Sequence, residues 1–434
     1  MRVRLLSHIL AALGMALGST ATPASAQGVN LEKLIDLAKT RAATQRPALQ
    51  KKLAPYREVL ETSYTDNWVL IDEKISEIVQ LGDSIVPILL ENLEPRTASP
   101  ANLNLAANSA RVLAKMEPAG FLQPLIDIAE GDSYAGVVHA IPLLASTQSS
   151  RAGVVLTQLL DRKKGIHQMA IIDALTRLEY RGAAMKIAKL LPLQGQENDY
   201  RATRFLGKVA TKAVVPEIFR VLGVIKRGSQ IMRYIRILRT CAKHDPASAE
   251  RLLTFFDNQK LDRTELASLA KTLAVVAPPA HKPTITRLKA ILASGDTGRL
   301  ELQTAIALRA LGDKTGPAAL RKNLVRRTRG RSKRNYLNHA NLGEYYLEFG
   351  EYKLAVDAYK AGVAVATGNA IRSMLFLQIA RAQAKRERWR FVRDALKESK
   401  LPFDRIQKAA EDYPEIAEAL KHETVKKFMD AFGK

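Results

Sequence analysis

Apolar positions recur three and four residues apart along nearly the whole chain. Glycine, proline, aspartate, asparagine or serine breaks the pattern roughly every 12–18 residues, which predicts helices. No run of alternating β-branched residues competes with it, so sheet is not expected. One set of breaks falls at Gly82, Glu117-Pro118, Ser149-Ser150, Gly182, Thr211-Lys212, Asp245-Pro246, Pro278-Pro279 and Gly312-Asp313. These lie roughly 30–35 residues apart, room for two helices and two turns, the period of a solenoid of helical hairpins. A lone hairpin cannot bury both of its apolar stripes, whereas stacked neighbours form a continuous core.

The first hairpin illustrates the local reading. Asp66 is the expected N-cap of a helix that puts Trp68, Ile71, Ile75, Ile78 and Val79 on one face. A turn at Gly82-Asp83 leads to a second helix from Ser84 to Leu93. Second helices carry an early proline at Pro87, Pro124 and Pro216, where the first-turn N–H groups lack intrahelical acceptors anyway. Upstream, Asn30 is the expected cap of a helix bearing Leu31, Leu34, Ile35 and Ala38. Pro47 and Pro55 divide the stretch between that helix and Asp66, and residues 27–65 are expected to cap the array.

The eight hairpins resemble HEAT repeats of the short bacterial type, also called phycobilisome-lyase-like repeats. Ala305-Ile306-Ala307-Leu308-Arg309-Ala310-Leu311-Gly312-Asp313, followed by Gly316-Pro317-Ala318-Ala319-Leu320, carries the resemblance most clearly. It covers residues 66–326 and implies an α-solenoid. Some members of that family attach bilins to pigment proteins, but nothing in this sequence singles out a bilin site.

The pattern changes after Leu324. Eight of the fourteen residues of 321–334 are Lys or Arg: Arg321, Lys322, Arg326, Arg327, Arg329, Arg331, Lys333 and Arg334. Self-repulsion and the Gly330-Arg331-Ser332 run predict an exposed basic linker over 327–335. Then Leu342, Gly343, Tyr346, Gly350, Tyr352, Ala355 and Tyr359 resemble the tetratricopeptide pattern at its usual offsets. A weaker unit follows at Ile379, Ala380, Trp389, Val392 and Leu396. These units span 336–400, and residues 401–434 resemble the helical cap that closes such arrays. Of the tyrosines that could line a peptide groove there, only Tyr345 falls outside the packing positions of the pattern.

Composition adds compartment and charge. Arg2 and Arg4, the apolar run Leu5–Leu17 and Ala24-Ser25-Ala26 read as a cleavable secretory signal over residues 1–26. The exported chain is expected in the periplasm or secreted. It has one cysteine, Cys241, and therefore no internal disulfide; its apolar surroundings predict a small buried hydrophobe. The net charge is +24, and +22 without the signal, which favours acidic partners.

No catalytic constellation emerges. The seven histidines are scattered, no Cys/His group has zinc spacing, and there is neither a nucleophile elbow nor a phosphate loop. No cofactor and no metal are expected. The reading is an all-α, non-catalytic scaffold that binds protein partners in the cell envelope. The alternative is an acidic polymer or an anionic lipid surface held by the basic face. Candidate partner-binding residues are the eight cations of 321–334 and Tyr345.

Overall fold

A computed structural model describes residues 46–432, apart from 96, 194, 226–227, 259–260 and 294–298. The signal at 1–26 and the helix expected at Asn30–Ala38 lie outside the described residues. The described chain is all-α, with 24 α-helices and no strand. It divides into two compact units, residues 1–225 and 226–434.

In the first unit a helical run over 46–53 and a 3-10 turn at Ala54–Tyr56 lead into the short α1 (Arg57–Glu61). Five hairpins follow: α2 (Trp68–Val79) with α3 (Val86–Asn92), α4 (Pro100–Lys115) with α5 (Leu122–Glu130), α6 (Tyr134–Ser146) with α7 (Ser150–Arg162), α8 (Ile166–Arg177) with α9 (Ala184–Leu190), and α10 (Gln196–Val209) with α11 (Val215–Leu222). The second unit has three more: α12 (Gly228–Cys241) with α13 (Pro246–Asp257), α14 (Arg263–Val276) with α15 (Lys282–Ala293), and α16 (Arg299–Ala310) with α17 (Thr315–Arg327). Two further hairpins come next, α18 (Tyr336–Glu348) with α19 (Tyr352–Val365) and α20 (Asn369–Ala384) with α21 (Trp389–Ser399). The chain then turns through α22 (Phe403–Asp412), α23 (Pro414–Lys421) and α24 (Glu423–Phe432).

All eight expected turns fall between helices. Gly82 and Gly312 adopt φ of +75° and +85°, a region where glycine has no Cβ penalty. Asp245 caps α13, accepting from the Ser248 amide at 3.1 Å, and Pro246 fills the first helical position. The cap of α2 differs from expectation: Asn67, not Asp66, accepts from the Leu70 amide. Within each unit the hairpins stack in solenoid fashion. First helices pack on first helices, α2 on α4, α4 on α6, α6 on α8 and α8 on α10, and again α12 on α14 and α14 on α16.

The core follows the 3.6-residue stripe. In α2, Ile71, Ile75 and Ile78 are fully buried. Trp68, expected on that face, is instead 58% exposed at the first helical position. Cys241 is buried as expected, and desolvation pushes its thiol up to about 12, so it stays protonated and unreactive.

The α18–α19 hairpin depends on a small residue. Gly343 of α18 lies against the Tyr359 ring of α19, and a Cβ there would come within 2.6 Å of Tyr359 Cε1. Tyr359 is fully buried and its hydroxyl donates to Glu344 Oε2 at 2.8 Å, so the ring is pinned at both ends. Gly343→Ala is expected to lower stability by about 1–3 kcal/mol through overpacking, measured by chemical denaturation. An unchanged midpoint would mean that the ring moves aside freely.

Candidate functional site

The cations before Arg329 lie on a helix, and the exposed connection expected after it is short, turned and tied down. Leu320 and Leu324 are buried four residues apart, and Val325 packs against the same cluster, so helix continues through Arg327 despite the charge density. A 3-10 turn over Gly330–Arg334 follows, entered through Gly330 at φ +60°. The next helix straps this turn down. Asn338 Nδ2 donates to Arg327 O at 3.1 Å and to Ser332 O at 3.0 Å, and the buried His339 Nε2 lies 2.8 Å from Lys333 O.

The eight cations of the segment have different fates. Arg327 makes a two-pronged bond to Glu301, Nη1 to Oε2 at 2.9 Å and Nη2 to Oε1 at 3.1 Å, and Glu301 is only 2% exposed. Arg321 pairs with Glu351 at 3.1 Å and lies 5.4 Å from the Tyr346 ring centre. Slight burial opposes its charge, but the Tyr346 hydroxyl and Glu351 outweigh this and raise its pKa. Arg327 is committed to the fold, and Arg321 is engaged in a half-exposed surface pair. Arg326 donates to the neutral Asn323 side chain at 2.9 Å. Lys322, Arg326, Arg329, Arg331, Lys333 and Arg334 are exposed, and none pairs with a carboxylate among the described residues.

Tyr345 is not a groove residue. It is 3% exposed, its ring stacks on Phe349 at 4.3 Å and meets Tyr346 edge-on, and its hydroxyl donates to Pro317 O at 3.1 Å. It fills the joint between α17 and α18, which explains why it falls outside the packing positions expected within one hairpin. Desolvation raises its pKa above the ordinary tyrosine value. Tyr346 and Tyr359 are buried as well, and Tyr352 packs against the same core.

A buried polar network lies among α18, α20 and α23. Arg381, 8% exposed, donates from Nε to Glu415 Oε1 at 2.7 Å and from Nη1 to Gln378 Oε1 at 2.5 Å, with its guanidinium 3.9 Å from the Tyr413 ring centre. Burial opposes its charge, yet Glu415 and Glu344 outweigh this and raise its pKa. Glu348 keeps contact with solvent. Crowding around its carboxyl, then the Glu344 carboxylate, hold its pKa above the usual range. Arg381, Glu415 and Tyr413 face one another within the fold, so they tie α20 to α23.

Some of the remaining positive charge is used between repeats. Arg162 reaches Glu130, Lys186 reaches Asp161, Arg201 reaches Asp173, Lys208 reaches Glu179 and Arg287 reaches Asp257. Arg220 donates to Leu191 O at 2.8 Å, and Arg239 to Ser268 O at 2.8 Å and Thr272 Oγ1 at 2.9 Å. Each of these bonds joins one hairpin to the next. Arg239 thus staples α12 to α14.

Sequence reasoning missed an apolar row. Trp68, Leu103, Tyr134, Ile166 and Tyr200, one in each hairpin of the first unit, are between 40% and 59% exposed. All lie in the first turn or two of a first helix, and Val69 adds to the row beside Trp68. The first turns of α6 and α8 touch, since the Tyr134 ring lies 5.0 Å from that of His167. Their one-per-repeat recurrence was visible in the sequence, but the helical wheel merged Trp68 with the core stripe.

Several solved chains are similar to this one. One of them is an engineered protein, 16% identical, with a TM-score of 0.37 over 80% of this chain and 98% of that one. No family model and no curated protein matches the chain. Among the described residues no helix is long and apolar enough to cross a membrane, and no three His, Cys, Asp or Glu side chains gather as a metal-binding group.

Proposed function

We propose that this protein is a non-catalytic, exported scaffold of the cell envelope that holds a protein partner against the apolar row of its first unit. The observation that carries the reading is the row itself: five exposed apolar side chains, one per hairpin and each within the first five residues of a first helix, two of them tyrosines and one a tryptophan. Contiguous exposed apolar surface marks interaction sites, and Trp and Tyr are the residues that most often anchor them. Export rests on the leader pattern of residues 1–26. On this reading the eight hairpins from Trp68 to Arg327 are HEAT-like and the next two tetratricopeptide-like. The close approach of Gly343 to Tyr359 supports the second assignment.

The test is affinity capture from an envelope fraction at low and high salt. The baits are the native sequence and a variant with Trp68, Tyr134, Ile166 and Tyr200 changed to serine. A defined protein held at high salt by the first bait, and at least roughly tenfold less by the second, is the expected result. Equal retention by both baits, or loss of all captured protein at high salt, would sink the proposal.

A further inference from the structure

We infer that the turn at Gly330–Arg334, with the cations beside it, is a docking ridge for an anionic phospholipid surface. This goes beyond the protein-binding reading, resting on different residues in the second unit. The first observation is the sorting of charge. Several cations elsewhere in the chain reach across to carboxylates of the neighbouring hairpin, as do Arg321 and Arg327 within the segment itself, and what sets the segment apart is the density of exposed cations left over. Lys322, Arg326, Arg329, Arg331, Lys333 and Arg334 have no such carboxylate among the described residues. Holding six like charges along one short stretch costs self-repulsion, and a polyanionic counterpart relieves it.

The second observation is shape. Residues 329–335 are exposed without a break, in a 3-10 turn between two helices, which favours a surface ridge over a groove lining. It is also held rigidly, through Asn338 and His339. A chain-like polyanion gains most from a groove that tracks its backbone. A projecting turn meets such a chain at only one or two points. A plane of headgroup phosphates can be met by all the cations of a ridge at once. Four of the six are arginines, whose planar fork suits phosphate oxygens.

The third observation is Leu337, at the start of α18 immediately beyond the ridge and 48% exposed. An apolar side chain beside a basic cluster is the combination that settles at a headgroup boundary. No described helix is a candidate to cross the bilayer, so the contact is peripheral. Each cation near such a surface strengthens partitioning by about fivefold, and screening by salt weakens it.

The experiment uses the full mature chain with vesicles of phosphatidylglycerol and phosphatidylcholine, and of phosphatidylcholine alone. The first variant changes the six cations to glutamine and leaves Arg321 and Arg327 in place. The second, Ser332→Cys, carries an environment-sensitive dye; the buried Cys241 does not compete for it. The native chain is expected to sediment with the anionic vesicles only. The six-glutamine variant, with an unchanged melting temperature, should partition at least roughly a hundredfold less. The dye should shift to the blue on binding. If the six-glutamine variant fails to fold, the dye shift decides alone. Equal binding to both vesicle types overturns the inference, as does a folded variant that binds normally. So does vesicle binding without a dye shift, or soluble polyphosphate binding tighter per charge than the vesicles.

Discussion

Arg327→Ala should destabilise the second unit by about 3–5 kcal/mol, the range for breaking a buried ion pair by removing one partner. Its guanidinium is the two-pronged partner of Glu301, whose carboxylate is almost wholly buried and would remain without its countercharge. Arg329→Ala, two residues on and fully in solvent, should change stability by no more than about 0.5 kcal/mol. Urea denaturation followed by circular dichroism separates the two. Replacing both partners, Glu301→Met with Arg327→Met, should recover most of the loss, since apolar groups of similar volume often substitute for a buried pair at little cost. Equal effects of Arg327→Ala and Arg329→Ala would refute the assignment of Arg327 to the fold.

Tyr345→Ala carries the second large effect. Truncating a buried aromatic costs about 3–5 kcal/mol. The ring here also loses its stack on Phe349, and Pro317 O loses its donor. Tyr345→Phe keeps the ring and should cost about 1 kcal/mol. A groove residue would behave the other way, changing partner binding while leaving the melting temperature alone. The phenol pKa is raised by burial, so the contribution of Tyr345 is fully present below the ordinary tyrosine value of 10.0. It declines as pH rises through the folded value, because the unfolded state gives up its proton first. Stability measured between neutral and strongly alkaline pH should therefore fall less steeply for Tyr345→Phe than for the native chain.

Helices and turns were legible because their signals are local. Gly82, Gly312 and Asp245-Pro246 each act within one turn of chain, and all eight breaks fell between helices. Sites were less legible because they depend on what lies a repeat away. Arg321 and Arg327 belong with the basic run by composition, yet Glu351 and Glu301 remove them from it at separations no local pattern records. Leu320 and Leu324 outweighed charge repulsion and kept the segment helical through Arg327. Trp68 shares the wheel angle of Ile71 and Ile75, but the wheel does not distinguish the first helical position from the rest. Tyr345 packs between hairpins, and the periodic pattern describes packing within one.

The staples between hairpins give each unit a mechanical character. Lys208–Glu179 and Arg287–Asp257 are surface pairs, each worth about 0–1 kcal/mol and weakened by salt. Stretching or bending a stack of hairpins opens these outer pairs before the apolar core yields. Stiffness under small loads is therefore electrostatic, and rupture under large loads is hydrophobic. Raising ionic strength should make either unit a softer spring while leaving its breaking force nearly unchanged.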